Sequence, residues 1–391
     1  MEVKRINLLV FMREYPIGMA GTKRIQHLLD YLITQNILIN VISFRSKNKQ
    51  PNANGTNNSV PYKIIGEGAD LKLLHFHKII GYYIGGCSAI LRNRNRKYTN
   101  IIYNSGGINV ENFLFILWAK ILGYKLIFAI EEDYSFFKDE IKLISRFKFW
   151  TIERLDFLTC HWATAIIVIS TYLRNKYIKR TKKSVVLIPI TAIQNFNEDK
   201  KVFNDPLNVL YAGTFADKDG VKDIIEGFML FNNFFKNAQL ILTGKSAQQL
   251  IYKEKFKAQK NLIFKGYLQD DEFYQMLRDA DILCMCRTES GFANAGFPFK
   301  LGEYLATGNP VICTKVSDVE TYLTDQDAYL INPNSPQAIA DTLTKIVNNP
   351  EAAKIKGING LEKCRKYFSP EANGRLLYDL LIKISGQTSK N

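Results

Sequence analysis

The chain has 391 residues and is poor in the side chains that bind metals and form disulfides. Its four histidines, at 27, 75, 77 and 161, show no zinc-ligand spacing. Its six cysteines, at 87, 160, 284, 286, 313 and 364, include no CxxC pair. A zinc module and a disulfide framework are excluded, and free thiols in a reducing compartment are expected. Long apolar runs are missing as well. The most membrane-like stretch, IIGYYIGGCSAIL at 79–91, is too short to span a bilayer, although it could lie on one. The opening MEVKRINLLVFM has a short apolar run that leads into Arg13 and Glu14, which is not the pattern of a secretion signal. Acidic residues are few: 37 Asp and Glu stand against 52 Lys and Arg, a formal net charge of +15. That excess favours acidic partners such as nucleotides, anionic lipid surfaces or nucleic acid. The basic clusters are local, RNRNRK at 92–97 and KYIKRTKK at 176–183, and each also reads as a solvated face. No recognised nucleic-acid module appears, and the positive charge is dispersed, so nucleic acid is not an expected partner. Internal repeats are absent.

An apolar fraction of 47% is ample for packed cores, and the length suits two or three domains. Strand-like and helix-like segments alternate in the first half. INLLVF is followed by the loop YPIGMAG and the helical TKRIQHLLDYLITQN, then by the strand-like ILINVISF. NIIYNSG, KLIFAIEED, ATAIIVIS and SVVLIPI continue the pattern, and the polar, Asn-rich 45–61 reads as a loop. EDKKVFNDP at 198–206 reads as a linker. The alternation then restarts with LNVLYAGTF, AQLILTG, NLIFKGYL, DILCMC and VICTKV. Alternation of this kind implies parallel sheets. The fold class expected is α/β, with two Rossmann-like domains, 1–197 and 198–391, facing each other across a cleft. The terminal helix in SPEANGRLLYDLLIKI is expected to pack back toward the N-terminal domain.

The densest signal is NAGFPFKLGEYLATGNPV at 294–311. Pro298 suits a first helical position, and Gly308 with Asn309-Pro310 ends the helix, so a helix of roughly 298–307 is predicted. A helix start after a buried strand points N–H groups at an anion site. Gly296 lets a ligand approach the backbone, and Lys300 adds a charge suited to phosphate. Glu303, one turn on, is an acceptor-only group suited to a ribose diol. The alternative is a capped helix with a solvated Lys300–Glu303 pair. If Lys300 instead faces a diphosphate, its loss is expected to cost turnover and leave the melting temperature near wild type. A second loop, Gly213-Thr214 with Lys218, ends another strand of the same domain and offers N–H groups to the same crevice. In the first domain Gly18 and Gly21 follow the first strand, and AIEEDYS at 129–135 places Glu131, Glu132 and Asp133 at a strand end. Each of these also reads as ordinary turn or helix-start chemistry.

The order YAGTFADKDGVKDIIEGF, LILTGKS, NLIFKGYL, ADILCMC and GFPFKLGEYLATGNPVICTKV resembles the donor domain of GT-B glycosyltransferases, family 4. The likeness is strongest from Asn208 to Val316. The resemblance implies transfer of a sugar from a nucleoside-diphosphate sugar with retention at the anomeric carbon and no essential metal or cofactor. It implies a lipid-linked or glycan acceptor, a place in surface polysaccharide synthesis, and work at the cytoplasmic face of the membrane, where the basic residues would meet an anionic surface. It assigns Glu303 to the ribose. Where the family has Arg and Lys after the first glycine of this domain, Thr214 and Asp219 stand here, with Lys218 one position off, so Lys300, Lys218, Gly213, Thr214 and the N–H groups of Gly296 and Phe297 are the expected diphosphate contacts. Lys300, Asn294 and Glu132 are then the expected catalytic residues, and Gly21 joins Glu132 in holding substrate. The family carries a second glutamate eight positions before the one at 303, and Ala295 stands there. A catalytically inactive relative that binds a nucleotide sugar or scaffolds a complex, and a sugar epimerase on the same fold, are the competing readings.

Overall fold

The computed structural model describes residues 5–45, 54–66, 76–137, 143–194, 203–244 and 246–386. The chain divides into two compact units, Met1–Pro189 with Pro370–Asn391, and Ile190–Ser369. The division falls ahead of the 197/198 boundary expected from the linker, part of which (195–202) lies outside the described residues. Packing explains the difference. Ile190 and Ala192 already lie against Gly302, and the Ala192 N–H donates to the Phe368 carbonyl at 2.8 Å. A charged loop marks where composition changes, whereas the boundary lies where side chains begin to pack in the second unit.

The first unit holds β1 (Ile6–Glu14), β2 (Leu38–Arg45), β3 (Asn54–Asn57), β4 (Val60–Ile64), β5 (Thr99–Ser105), β6 (Lys125–Ile130), β7 (Ala165–Val168) and β8 (Ser184–Leu187). They form one sheet in the order β3-β4-β2-β1-β5-β6-β7-β8. All neighbours are parallel except β3 and β4. β1 is buried along most of its length because INLLVFM is apolar on both faces, as a strand covered by helices on both sides must be. On one face Val10, Ile101, Ile127 and Ile167 meet Leu28, Leu29 and Leu32 of the helix Ala20–Ile33. Leu377, Leu380 and Leu381 of the last helix, Pro370–Ser385, complete that cluster. The stretch 45–61, expected as a loop, contains the edge strand β3. Its polar residues suit an edge, and Asn58 and Ser59, at φ 46° and 66°, make the tight turn into β4.

The second unit holds β9 (Leu207–Ala212), β10 (Ala238–Thr243), β11 (Leu262–Gly266), β12 (Ile282–Met285), β13 (Val311–Thr314) and β14 (Tyr329–Ile331). Their order is β11-β10-β9-β12-β13-β14, all parallel. Phe228 and Phe231 of the helix Val221–Asn232 pack with Ile339 and Leu343 of the helix Pro336–Asn348 over this sheet. Both units are therefore Rossmann-like, and each sheet reverses its strand order once, beside β1 in the first and beside β9 in the second. Ligands of open α/β sheets bind outside the carboxyl ends of the strands at that reversal. The helix predicted from 298 spans Phe299–Leu305, with Pro298 as its extended N-cap at φ −72°, ψ 108°.

Candidate active site

In the second unit the reversal lies between β9 and β12. Beyond β9 the chain turns through Gly213 and Thr214 into a short 3-10 turn, Asp217–Asp219, and then the helix Val221–Asn232. Gly220, between them, has φ 62°, and a Cβ there would stand 1.8 Å from the Cys286 carbonyl oxygen. Only glycine permits that approach. It sets Asp219, 2% exposed, beside the residue that follows β12's extension, Arg287.

Lys300 reaches this point from the helix Phe299–Leu305. Its Nζ donates to Asp219 Oδ1 at 2.9 Å and to Tyr211 Oη at 3.0 Å. It also lies 4.6 Å from the centre of the Tyr211 ring. Thr214 Oγ1 donates to the other oxygen of Asp219 at 2.9 Å, and Arg287 Nε stands 4.0 Å from Oδ1. Neither sequence expectation for Lys300 describes this: its bonded partner is Asp219, which the sequence reading left without a role. Burial raises the Asp219 carboxyl, but Lys300 and Arg287, with the hydrogen bonds from Lys300 and Thr214, more than offset it and hold it well below the usual carboxylate range. Burial lowers the Lys300 ammonium, and the pairing with Asp219 opposes that only in part. Gly213 is part of the same packing, since a Cβ there would meet Lys300 Nζ and Tyr211 Oη, each at 2.4 Å. Tyr304, on the same helix as Lys300, ties that helix to β9. Its hydroxyl accepts from Ala212 N–H at 2.8 Å and donates to the Ala212 carbonyl at 3.0 Å.

The other expected residues are placed more loosely around this cluster. Lys218 lays its ammonium over the Phe292 ring, 3.8 Å from the centre. Glu303 is half-buried on the Lys300 helix. Asn294 braces a loop: its side-chain oxygen accepts from Ser317 N–H at 2.9 Å. The Gly296 carbonyl accepts from the Ser317 hydroxyl at 2.6 Å, and Phe297 is buried against Tyr322 and Phe368. Ala295, where the resemblance places a second carboxylate, is fully buried and supplies none.

The first unit has its own concavity at the matching place. A cavity of about 590 Å³ is lined by Arg13 of β1, Ser105 of β5, the run Glu131–Asp133 after β6, and Lys176, Tyr177 and Arg180. Glu132 lines it directly, whereas Gly21 backs onto Glu131. Arg24 is 1% exposed and donates to Glu131 Oε1 at 3.0 Å and to the carbonyls of Pro189 and Ile188 at 3.1 and 2.7 Å. Burial raises the Glu131 carboxyl, Arg24 opposes this, and Glu132 adds to it; the net shift is upward. Lys176 Nζ donates to Asp133 at 2.7 Å, and Arg180 pairs with Asp156. Two cations of the basic cluster 176–183 thus face buried or half-buried carboxylates inside the first unit. Among the described residues no group of three His, Cys, Asp or Glu could hold a metal ion, and no helix is long and apolar enough to cross a membrane.

Residues 193–363 match the family model for glycosyl transferases group 1. An uncharacterized glycosyltransferase of Methanocaldococcus jannaschii is 26% identical over 208 residues, 52% of this chain and 55% of that protein. The capsular polysaccharide biosynthesis glycosyltransferase CapM of Staphylococcus aureus is 21% identical over 253 residues, 59% of this chain and 64% of that protein. The matches thus span between half and two thirds of these curated relatives. Among solved structures, Anabaena Alr3699/HepE in complex with UDP-glucose superposes with a TM-score of 0.70 at 13% identity, covering 96% of this chain and 99% of that one. The likeness to solved GT-B structures identifies the pair of Rossmann-like units as a GT-B fold.

Proposed function

We propose that this protein is a retaining glycosyltransferase of family 4. It moves a sugar from a nucleoside-diphosphate sugar to a hydroxyl of a lipid-linked or glycan acceptor in surface polysaccharide synthesis, at the cytoplasmic face of the membrane. The observation that carries the reading is the convergence of Lys300, Arg287 and Thr214 at the strand reversal of the second unit. That unit holds the whole of the glycosyl transferases group 1 match. As the bond from the anomeric carbon to the phosphate breaks, its electron pair passes to the departing diphosphate. Cations fixed beforehand oppose the growing charge, and one such donor is typically worth roughly 3–4 kcal/mol. Lys300 supplies that charge, with Lys218 and the backbone near Gly296 and Phe297 beside it, and Glu303 accepts from the ribose. The acceptor oxygen bonds to the anomeric carbon, and its proton leaves to an oxygen of the departing phosphate. No strong protein base and no metal is needed.

Asp219 fits this role with a condition. Its carboxylate neutralises Lys300, so a diphosphate must share the ammonium with it or draw the ammonium away. The same contact favours a second reading, a relative that binds a nucleotide sugar without transferring it, for which the buried Ala295 also speaks. A screen of nucleoside-diphosphate sugars by melting temperature and turnover tests both. A donor at one hundred times its dissociation constant adds about 2.7 kcal/mol of stability. Binding with slow hydrolysis or transfer supports the first reading, binding without either supports the second, and no binding refutes both.

The acceptor side is proposed to work at an anionic lipid surface. Ile80, Ile84 and Leu91 are exposed along one face of the helix Phe76–Asn93. Leu114 and Ile121 are exposed on the neighbouring helix Phe113–Ile121, whose Trp118 Nε1 donates to the Cys87 carbonyl. Arg92, Arg94, Arg96, Lys97 and Lys120 are exposed nearby in the sequence. Apolar side chains with basic neighbours complement an anionic bilayer. These residues include part of the membrane-like stretch 79–91 and the basic side chains of the cluster 92–97 read from the sequence.

A further inference from the structure

Of the carboxylates lining the first unit's cavity, Asp133 and Asp156 have both oxygens engaged by the protein. Asp133 accepts from Lys176, from Tyr172 and from both the N–H and the hydroxyl of Ser135. Asp156 accepts from Tyr177 Oη at 2.7 Å and pairs with Arg180. Glu131 differs. Arg24 holds Oε1, and no described residue donates to Oε2. Arg24 cannot follow a moving carboxylate, because its other nitrogens are tied to the carbonyls of Ile188 and Pro189. Glu131 is therefore a carboxylate fixed at one oxygen, 19% exposed, at the carboxyl end of β6 in a cavity of ligand size.

The space for the other oxygen is made by Gly21. A Cβ on Gly21 would stand 2.9 Å from Glu131 Oε2. Gly21 is the second residue of a helix, where the backbone does not demand glycine and alanine is the better helix former. Its missing side chain thus leaves room for the carboxylate rather than for a turn.

We propose that Glu131 Oε2 binds a hydroxyl of the acceptor, and that the cavity takes a polyhydroxylated, sugar-like ligand through it. An ionised carboxylate only accepts hydrogen bonds, and a bond from a hydroxyl to it is short and strong. Glu131 orients the ligand, and Arg24, through Glu131, is a positioning residue. This adds Glu131 beside Glu132 as an acceptor-binding carboxylate and gives Gly21 a steric role. The identification of the ligand as an acceptor rests on the glycosyl-transfer reading, but its binding can be measured without transfer.

The test is saturation-transfer NMR on the full chain with methyl hexopyranosides in neutral, amino and uronate forms, repeated for Glu131→Gln and Gly21→Ala. The wild type should bind at least one glycoside, and each variant should weaken that binding tenfold or more. Gly21→Ala should do so without lowering the melting temperature, and both variants should keep wild-type affinity for nucleoside diphosphate. Glu131→Asp, one carbon shorter but still charged, should recover part of the affinity lost in Glu131→Gln. Absence of glycoside binding in the wild type overturns the proposal, as does binding that neither Glu131→Gln nor Gly21→Ala alters. Failure of the glycosyl-transfer reading would appear separately, as a wild type that binds glycosides but no nucleotide sugar.

Discussion

Lys300 is joined to Asp219 in a nearly dry setting, with side-chain exposures of 14% and 2%. Removing one partner of a buried pair leaves the other uncompensated, at a cost of about 3–5 kcal/mol. The pairing changes the prediction for Lys300→Ala, which the sequence alone expects to melt near wild type. It should lose about 100-fold or more in turnover, as loss of one transition-state donor does, and also melt well below wild type. Replacing both partners separates the effects. Lys300→Met combined with Asp219→Asn should recover part of the stability, because exchange of a buried pair is often near neutral while Arg287 still loses its carboxylate neighbour, yet it should recover no turnover. Calorimetric melting and initial rates on the single and double variants check this. Equal turnover in Lys300→Ala and wild type would return Lys300 to a purely structural role.

The elements themselves were largely legible in sequence, because buried parallel strands read as short apolar runs and helices as periodic ones. INLLVFM, ATAIIVIS and LNVLYA are such runs, and each is a strand. β3 was not legible, since an edge strand needs no apolar face and Asn-Gly-Thr-Asn carries none. The candidate site was legible in its residue types but not in its pairings. Lys300 stood out beside Gly296 and Pro298, but its partner Asp219 lies 81 positions earlier and is brought to it by the turn at Gly220. Arg24 and Glu131, 107 positions apart, give no local signal either. The junction at Gly220 supports a prediction at this scale. Gly220→Ala adds a Cβ into the Cys286 carbonyl at a φ that itself costs a non-glycine residue about 1–2 kcal/mol. It should destabilise by more than that amount and move Asp219 off Lys300. Gly106→Ala is the control, because a Cβ there meets nothing within 4 Å at φ 93°, so that variant should show the backbone cost alone.

At the scale of the whole molecule, a formal charge of +15 must serve both an anionic donor and an anionic surface if the proposal holds. Each basic residue near such a surface contributes about 1 kcal/mol, screened by salt. The protein should co-sediment with phosphatidylserine-containing vesicles and release at high salt. Equal binding to neutral vesicles would remove the electrostatic half of that account. The central claim, that the strand reversal of the second unit holds a nucleoside diphosphate through Lys300, is tested most directly by calorimetric titration of UDP and GDP. The wild type and the Lys300→Met, Asp219→Asn double variant are to be compared, with circular dichroism showing that both are folded. The account predicts that the wild type binds at least one of the two nucleotides and that the double variant binds it at least tenfold more weakly. Equal affinity in the two folded proteins, or no binding of either nucleotide by the wild type, would contradict it.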